Sequence, residues 1–293
     1  MINPRVSDRL TFEEGGLPVR ARDRIVAAAE GGSRFFTSTF TASELAVARL
    51  AGYEPIGQVM GSSIYHLGWA GYRRSFPGGE LENVVTAKRD ARARALGRMA
   101  EEARLLLAHA VIGVRLGIRA HEWAGGLSEF TALGTAVRVA GAPPPETPAL
   151  SNLRVQDLYK LELAGLWPVG IVMGNSSWFK LHADCRSDGN WTNQELPDHT
   201  ACIENARLHA TARFKQEVLA RAALGAVGVT VERHFHEEEW RENHHSFKAE
   251  IVLLGTAVVR RAQSRVPRPR LVLDLGNRKI DLEAAARARP PKE

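Results

Sequence analysis

The sequence predicts an α+β fold in which one unit is used twice, each unit being a helix, a strand, a long helix and a β-hairpin. Two observations predict it. The first is a change of period. From Lys88 to Leu107 the apolar residues Ala91, Ala95, Met99, Ala103 and Leu106 recur at three- and four-residue spacing, as an amphipathic helix requires. The runs Ala110 to Ile118 and Phe130 to Val137 then read as two strands of a hairpin, being short, apolar and rich in β-branched residues. The second observation is that the pattern returns, with a helix over Arg207 to Leu224 and strands over Ala226 to Val231 and Glu250 to Val258. Met99, Glu102 and Gly113 meet Phe214, Glu217 and Gly228, each 115 residues on, and Gly134-Thr-Ala-Val137 meets Gly255-Thr-Ala-Val258, 121 residues on. Self-similarity at a fixed offset is the mark of an internal duplication.

In chain order, residues 1–38 form an N-terminal arm with a short helix from Ala21 to Glu30, ended by Gly31-Gly32. The first unit, 39–139, begins with Thr41-Ala-Ser-Glu44, a capping box that starts a helix running to Ala51. Tyr53 to Met60 is its first strand, and Gly61-Ser62-Ser63 reads as a turn of small residues. Residues 140–152 are a linker, since the four prolines within Ala140 to Pro148 favour an extended, semi-rigid spacer. In the second unit, 153–262, Gly165 to Gly174 repeats Gly52 to Gly61 at an offset of 113, and Pro55 and Pro168 both sit near a strand start, where a missing N–H does least harm. Residues 263–293 are a basic tail with one edge strand, Leu271 to Leu275, and a short helix, Ile280 to Arg289.

The 293 residues suffice for two such units, and 44% hydrophobic with 25% charged residues is an ordinary globular composition. No apolar run of about 18 residues is present to span a bilayer. The first residues carry no apolar signal core, so the expected compartment is the cytoplasm, where Cys185 and Cys202 would be thiols or metal ligands. From Arg260 onward ten Lys or Arg stand against four Asp or Glu, which accounts for the whole net charge of +6. Any attraction to polyanions therefore belongs to the tail.

Gly52-Tyr-Glu-Pro-Ile-Gly-Gln-Val-Met-Gly-Ser-Ser-Ile-Tyr-His66, Met99-Ala-Glu-Glu-Ala103, Ala110-Val-Ile-Gly-Val114 and Gly134-Thr-Ala-Val137 together resemble the YbjQ-like family, often labelled heavy-metal-binding. The first unit matches along its length. The second is a degenerate copy, with Asn175-Ser-Ser-Trp-Phe179 where the first has Ser62-Ser-Ile-Tyr-His66. The resemblance implies a small α+β domain that assembles into homopentamers, without catalytic residues. It draws attention to Gly61, Ser62, Ser63 and His66 in the turn, and to Glu102 with its counterpart Glu217 on the long helices.

The sharpest metal-like spacing is His182-Ala-Asp-Cys185 with His199-Thr-Ala-Cys202, two nitrogens and two thiols that suit tetrahedral zinc or another transition metal. The competing reading makes Cys202 an inward-facing helix residue and His182 a loop residue. A second group is His234 and His236, on one face of a strand, with His244 and His245 on a returning strand. Its competing reading is a solvated hairpin tip. Gly61-Ser62-Ser63 offers backbone donors to an anion, but no phosphate-binding fingerprint accompanies it, and a turn packed against Glu102 explains the same residues.

Arg89, Arg92, Arg94 and Arg98 make the first long helix basic, yet no nucleic-acid-binding module is recognisable. No Ser/His/Asp elbow, paired-carboxylate cleft or cofactor box appears. The sequence thus points to a non-enzymatic oligomeric scaffold of two units. A metal-binding protein using the second unit is the alternative, and a metal-dependent hydrolase stands third. Trp178 and Phe179, in the changed copy of the turn, are read either as a contact for a protein partner or as core.

Overall fold

Thr41 opens the first unit as its sequence requires. Its side chain accepts from the Glu44 amide while Glu44 accepts from the Thr41 amide, and the helix that follows ends against Gly52 in the left-handed region. The computed structural model describes residues 16–30, 37–66, 78–120, 127–139, 141–181, 193, 195–241 and 244–260. Within them the chain runs α1 (Val19–Glu30), α2 (Ala42–Leu50), β1 (Tyr53–His66), β2 (Gly78–Glu80), α3 (Glu82–Leu105), β3 (Ala110–Ala120), β4 (Leu127–Val139), β5 (Ala149–Leu150), α4 (Val155–Leu163), β6 (Leu166–Leu181), α5 (Pro197–Ala220), β7 (Gly225–Arg241) and β8 (His244–Arg260). The fold is α+β.

Two stretches of the chain, called here the first and second units, share an order of elements, α2-β1-α3-β3-β4 (with the short β2 before α3) and α4-β6-α5-β7-β8, and some details recur between them. Both long helices end in a non-glycine residue at positive φ, Leu107 and Ala222, and in both the next amide reaches back five residues, Ala108 to Ala103 and Ala223 to Val218. Glu102 Oε2 accepts from the Met60 amide at 2.9 Å, and Glu217 Oε2 accepts from the Met173 amide at 3.0 Å.

Two four-stranded sheets form, in the orders β1-β4-β3-β5 and β2-β6-β8-β7, antiparallel except for the short β3–β5 pairing. Each therefore contains three long strands of one unit and one short strand from the other side of the chain. Small residues on the long helices allow close packing on the sheets. Ala91, Ala95, Met99 and Ala103 are fully buried with Val59, Val111 and Phe130, and the same cluster takes in Ile171, Met173 and Leu254 of the second unit. The core of the first unit is thus continuous with the second.

Three expectations are corrected. Gly61-Ser62-Ser63 is not a turn but the middle of β1, paired residue for residue with Ala132, Thr131 and Phe130. The residues are small because β1 lies against α3: a Cβ on Gly61 would fall 2.0 Å from the Ala95 carbonyl oxygen, and one on Gly174 would fall 2.1 Å from that of Ala210. The proline-rich stretch does not remain a spacer throughout, since Ala149–Leu150 forms β5 and Ser151 to Leu153 are bonded into both sheets. The long helices start earlier than their apolar stripes, α3 at Glu82 and α5 at Pro197, a residue whose fixed φ suits a first helical turn.

Candidate functional site

The polar chemistry of the described residues gathers along the seam between the two units. The short strand β2 pairs with the edge of β6, Glu80 opposite Trp178 and Gly79 opposite Phe179, and the Leu81 amide donates to the Ser177 carbonyl at 2.8 Å. This pairing holds Glu80 over the second unit. There its carboxylate accepts from both Nη atoms of Arg213, the second at 2.8 Å, and from Ser176 Oγ, with His209 Nδ1 at 3.2 Å. Burial pushes the Glu80 carboxyl up, but the bonds from Arg213 and Ser176 and the charges of Arg213 and His209 outweigh it, and it titrates below the usual carboxylate range. Asn175 Nδ2 crosses the seam to the Val85 carbonyl at 3.1 Å.

Deeper in, Glu250 of β8 meets two cations of α3. Lys88 Nζ bonds its Oε2, and Arg92 Nη2 lies 3.7 Å from its Oε1 with the guanidinium over the Phe130 ring at 5.4 Å. Arg92 and Glu250 are both about 2% exposed. Burial pushes the Glu250 carboxyl up, the Lys88 and Arg92 charges pull it down further, and it ends below the usual range. On the opposite side of the seam, β5 adds to β3. Ser151 donates its amide to the Val111 carbonyl, and its hydroxyl shares a 3.1 Å bond with Thr256 of β8, whose Oγ1 also takes the Asn152 amide.

The residues singled out from sequence fall in several places. Ser62, Ser63 and His66 lie on β1, and Glu102 packs beside that strand from α3. Burial raises the Glu102 carboxyl even though it accepts from Met60 and faces Arg24 at 3.0 Å. Glu217 has the same position in the second unit. His199 and Cys202 stand one turn apart near the start of α5, His199 against the Phe247 ring at 4.3 Å and Cys202 donating its thiol to the Trp178 carbonyl at 3.3 Å. Burial pushes the Cys202 thiol up to about 11. Cys202 also lines a cavity of about 320 Å³ at the seam, with Gly78, Gly79, Trp178, Lys180 and Asp198. His182 and Cys185 lie outside the described residues, as does all of the basic tail after residue 260, with the strand and helix expected there.

In the second histidine group the β7–β8 register is decisive. It places Glu250 opposite His234 and Lys248 opposite His236, while His245 pairs with Glu239 and His244 with Arg241. The return strand therefore does not bring His244 or His245 opposite His236, as a shared metal would ask. Burial and the Lys248 and Lys88 charges hold His236 below its ordinary value. Among the described residues no group of three or more His, Cys, Asp or Glu is placed to hold a metal. Trp178 is half-buried, its ring 5.0 Å from His209.

Sequence reasoning missed Glu80, Arg213, Ser176, Lys88 and Glu250 as a set. The available signal was the pairing of Glu80 with Glu195 at the helix offset of 115, and of Glu250 with Glu129 at the hairpin offset of 121.

Comparison with known proteins bears on the first unit and on the whole. Residues 37–140 match the YbjQ family, described as "Putative heavy-metal-binding". The UPF0145 protein of Archaeoglobus fulgidus (strain ATCC 49558 / DSM 4304 / JCM 9628 / NBRC 100126 / VC-16) is 37% identical over 108 residues, which cover 35% of this chain and 93% of that protein. The chain belongs to the YbjQ (UPF0145) family. UPF0145 protein OE_4416R of Halobacterium salinarum (strain ATCC 29341 / DSM 671 / R1) is 49% identical over 67 residues, 23% of this chain and 62% of that protein. A longer alignment joins this YbjQ-family chain to the encapsulin nanocompartment protein Rv1762c of Mycobacterium tuberculosis (strain ATCC 25618 / H37Rv), 35% identical over 251 residues, 82% of this chain and 92% of that protein. At that length the similarity extends beyond the first unit.

Proposed function

We propose that this chain is a non-enzymatic scaffold of the cytoplasm, built of two tandem YbjQ-like units that arose by duplication and assembling into closed homo-oligomers. One observation carries the reading: the two units are joined by reciprocal strand addition, β2 onto β6 and β5 onto β3, so a unit of this kind completes its sheet with a strand from a neighbour. Edge strands that are not paired or covered associate, and each sheet keeps one long outer strand, β1 in the first and β7 in the second, opposite the short edge strands β5 and β2. Among the described residues no helix is long and apolar enough to cross a membrane, and the polar chemistry is spent on ion pairs along the seam, not on an open cleft. The name of Rv1762c as an encapsulin nanocompartment protein agrees with a role in protein assembly. The resemblance of the first unit adds the expectation of fivefold rings. Native mass spectrometry tests the proposal: a discrete oligomer at micromolar concentration is expected, and a strict monomer would sink it.

A second reading keeps the family's label. His199 and Cys202 share one face of α5, and the thiol lines the seam cavity beside Asp198, so a transition metal held with Cys185 and His182 would sit where the units meet. A bound metal would displace the proton that burial otherwise keeps on Cys202. Elemental analysis of untagged protein decides it. One zinc per chain, lost on replacing Cys185 and Cys202 by Ser, is expected; substoichiometric metal or an unchanged content in that variant would reject it.

A further inference from the structure

Resting on the scaffold reading above, we propose that chains join head to tail through an interface that copies their own internal seam, the second unit of one chain docking on the first unit of the next, with Glu195 and Arg207 of the former meeting Arg98, Ser63 and Glu129 of the latter.

The argument is a transfer of contacts by the offsets that relate the units. Inside the chain, Glu80 is gripped by Arg213 and Ser176 of the second unit. The counterparts are Glu195, Arg98 and Ser63, identical in type at all three positions. Arg98 is already posed as its counterpart is, since its Nη1 donates to the Ser62 carbonyl just as Arg213 Nη1 donates to that of Asn175. Glu195 immediately precedes Leu196 at the start of α5, as Glu80 precedes Leu81 at the start of α3, and it is exposed. In the second ion cluster Lys88 and Arg92 both reach Glu250 across the seam; the counterpart of Lys88 is Ile203, so that bond does not transfer, whereas those of Arg92 and Glu250 are Arg207, on the exposed face of α5, and Glu129, on β4. Both transferred pairs thus have opposite charge and the same direction as the originals.

Burial agrees at the apolar positions only: Arg98 and Ser63, at 9% and 4% exposure, are already covered within the chain, with Arg98 Nε donating to the Gly16 carbonyl at 3.2 Å, so docking there requires the segment around Gly16 to move aside. Met173, Ser177 and Val114 are buried, at 9%, 1% and 2% exposure, whereas their counterparts Met60, Ile64 and Val229 are 50%, 62% and 44% exposed. The backbone complements them. Ser38 and Thr39 meet Thr135 as Ser151 and Asn152 meet Thr256, so the segment before α2 is shaped like the one that adds to β3, and β7 offers it the corresponding edge. Such an interface is heterologous: each chain donates at one end and accepts at the other, so copies either close into a ring or run on as a filament.

The test uses the full chain and native mass spectrometry, with circular dichroism to check the fold. Glu195 and Arg207 are exposed, so Glu195→Arg and Arg207→Glu should melt as the wild type does yet shift the protein from its oligomeric mass to that of one chain. Arg207→Glu combined with Glu129→Arg should restore the oligomer. Wild-type mass in both single variants would overturn this interface and leave the scaffold reading standing. A monomeric wild type would overturn both.

Discussion

At the scale of single residues, two glycines carry opposite meanings. Gly61 faces α3 so closely that a methyl group would overlap the Ala95 carbonyl and lie 2.6 Å from the Met99 amide, both backbone atoms that cannot move without shifting the helix. Gly61→Ala should therefore lower stability by about 3 kcal/mol or more, as overpacking against a rigid neighbour does. Gly97 is inside α3, and a Cβ there would meet nothing within 4 Å. Gly97→Ala should raise stability by about 0.5–1 kcal/mol, because it removes backbone freedom from the unfolded chain. Urea denaturation of the two variants should move in opposite directions, and a neutral Gly61→Ala would show that β1 does not lie so near the helix. The same pair explains a misreading. Gly-Ser-Ser is the composition of a turn, but here it reflects lateral space, and a sequence read without its neighbours does not distinguish the two demands.

At the scale of elements, what was legible followed period and what was not followed proximity. The long helices and hairpins announced themselves through spacing of apolar residues, and the capping box at Thr41 fixed a boundary. The strands that tie the units together, Gly78–Glu80 and Ala149–Leu150, are too short to carry any period. The seam ion pairs were hidden because Lys88 and Glu250 are 162 residues apart. Their geometry yields a prediction. Glu250→Ala removes the carboxylate that the buried Lys88 and Arg92 share, leaving only the charge of Glu232 acting on Arg92, and breaking one partner out of such a group costs about 3–5 kcal/mol. In differential scanning calorimetry this variant should melt well below the wild type, and a loss near zero would mean that water already enters the seam. Replacing an exposed pair such as Arg104 with Glu101 should change stability by less than about 1 kcal/mol.

At the scale of the whole molecule, the two units hold together through carboxylates, which makes their coupling sensitive to acid. Glu80 and Glu250 both titrate below the ordinary carboxyl range in the folded chain, because the cations of the opposite unit outweigh the effect of burial. A carboxyl whose folded value is depressed binds its proton more readily when unfolded, so its contribution is fully present above the unfolded value, about 4.3 for Glu, and is lost as the pH falls through the folded value. Glu102 runs the other way: its value is raised, so it loses stability as the pH climbs through that raised value, and it acts between β1 and α3, not across the seam. Acid should therefore loosen the seam before it dissolves either unit. Denaturation followed at pH 7, 5, 4 and 3 should show one transition dividing into two as the pH drops below about 4. In the Glu80→Gln, Glu250→Gln double variant the division should already be present at pH 7 and change little with acid. A wild-type chain that unfolds in a single step throughout, or a double variant with the same acid slope as the wild type, would place the coupling in the shared apolar core around Ile171, Met173 and Leu254 instead of in the ion pairs.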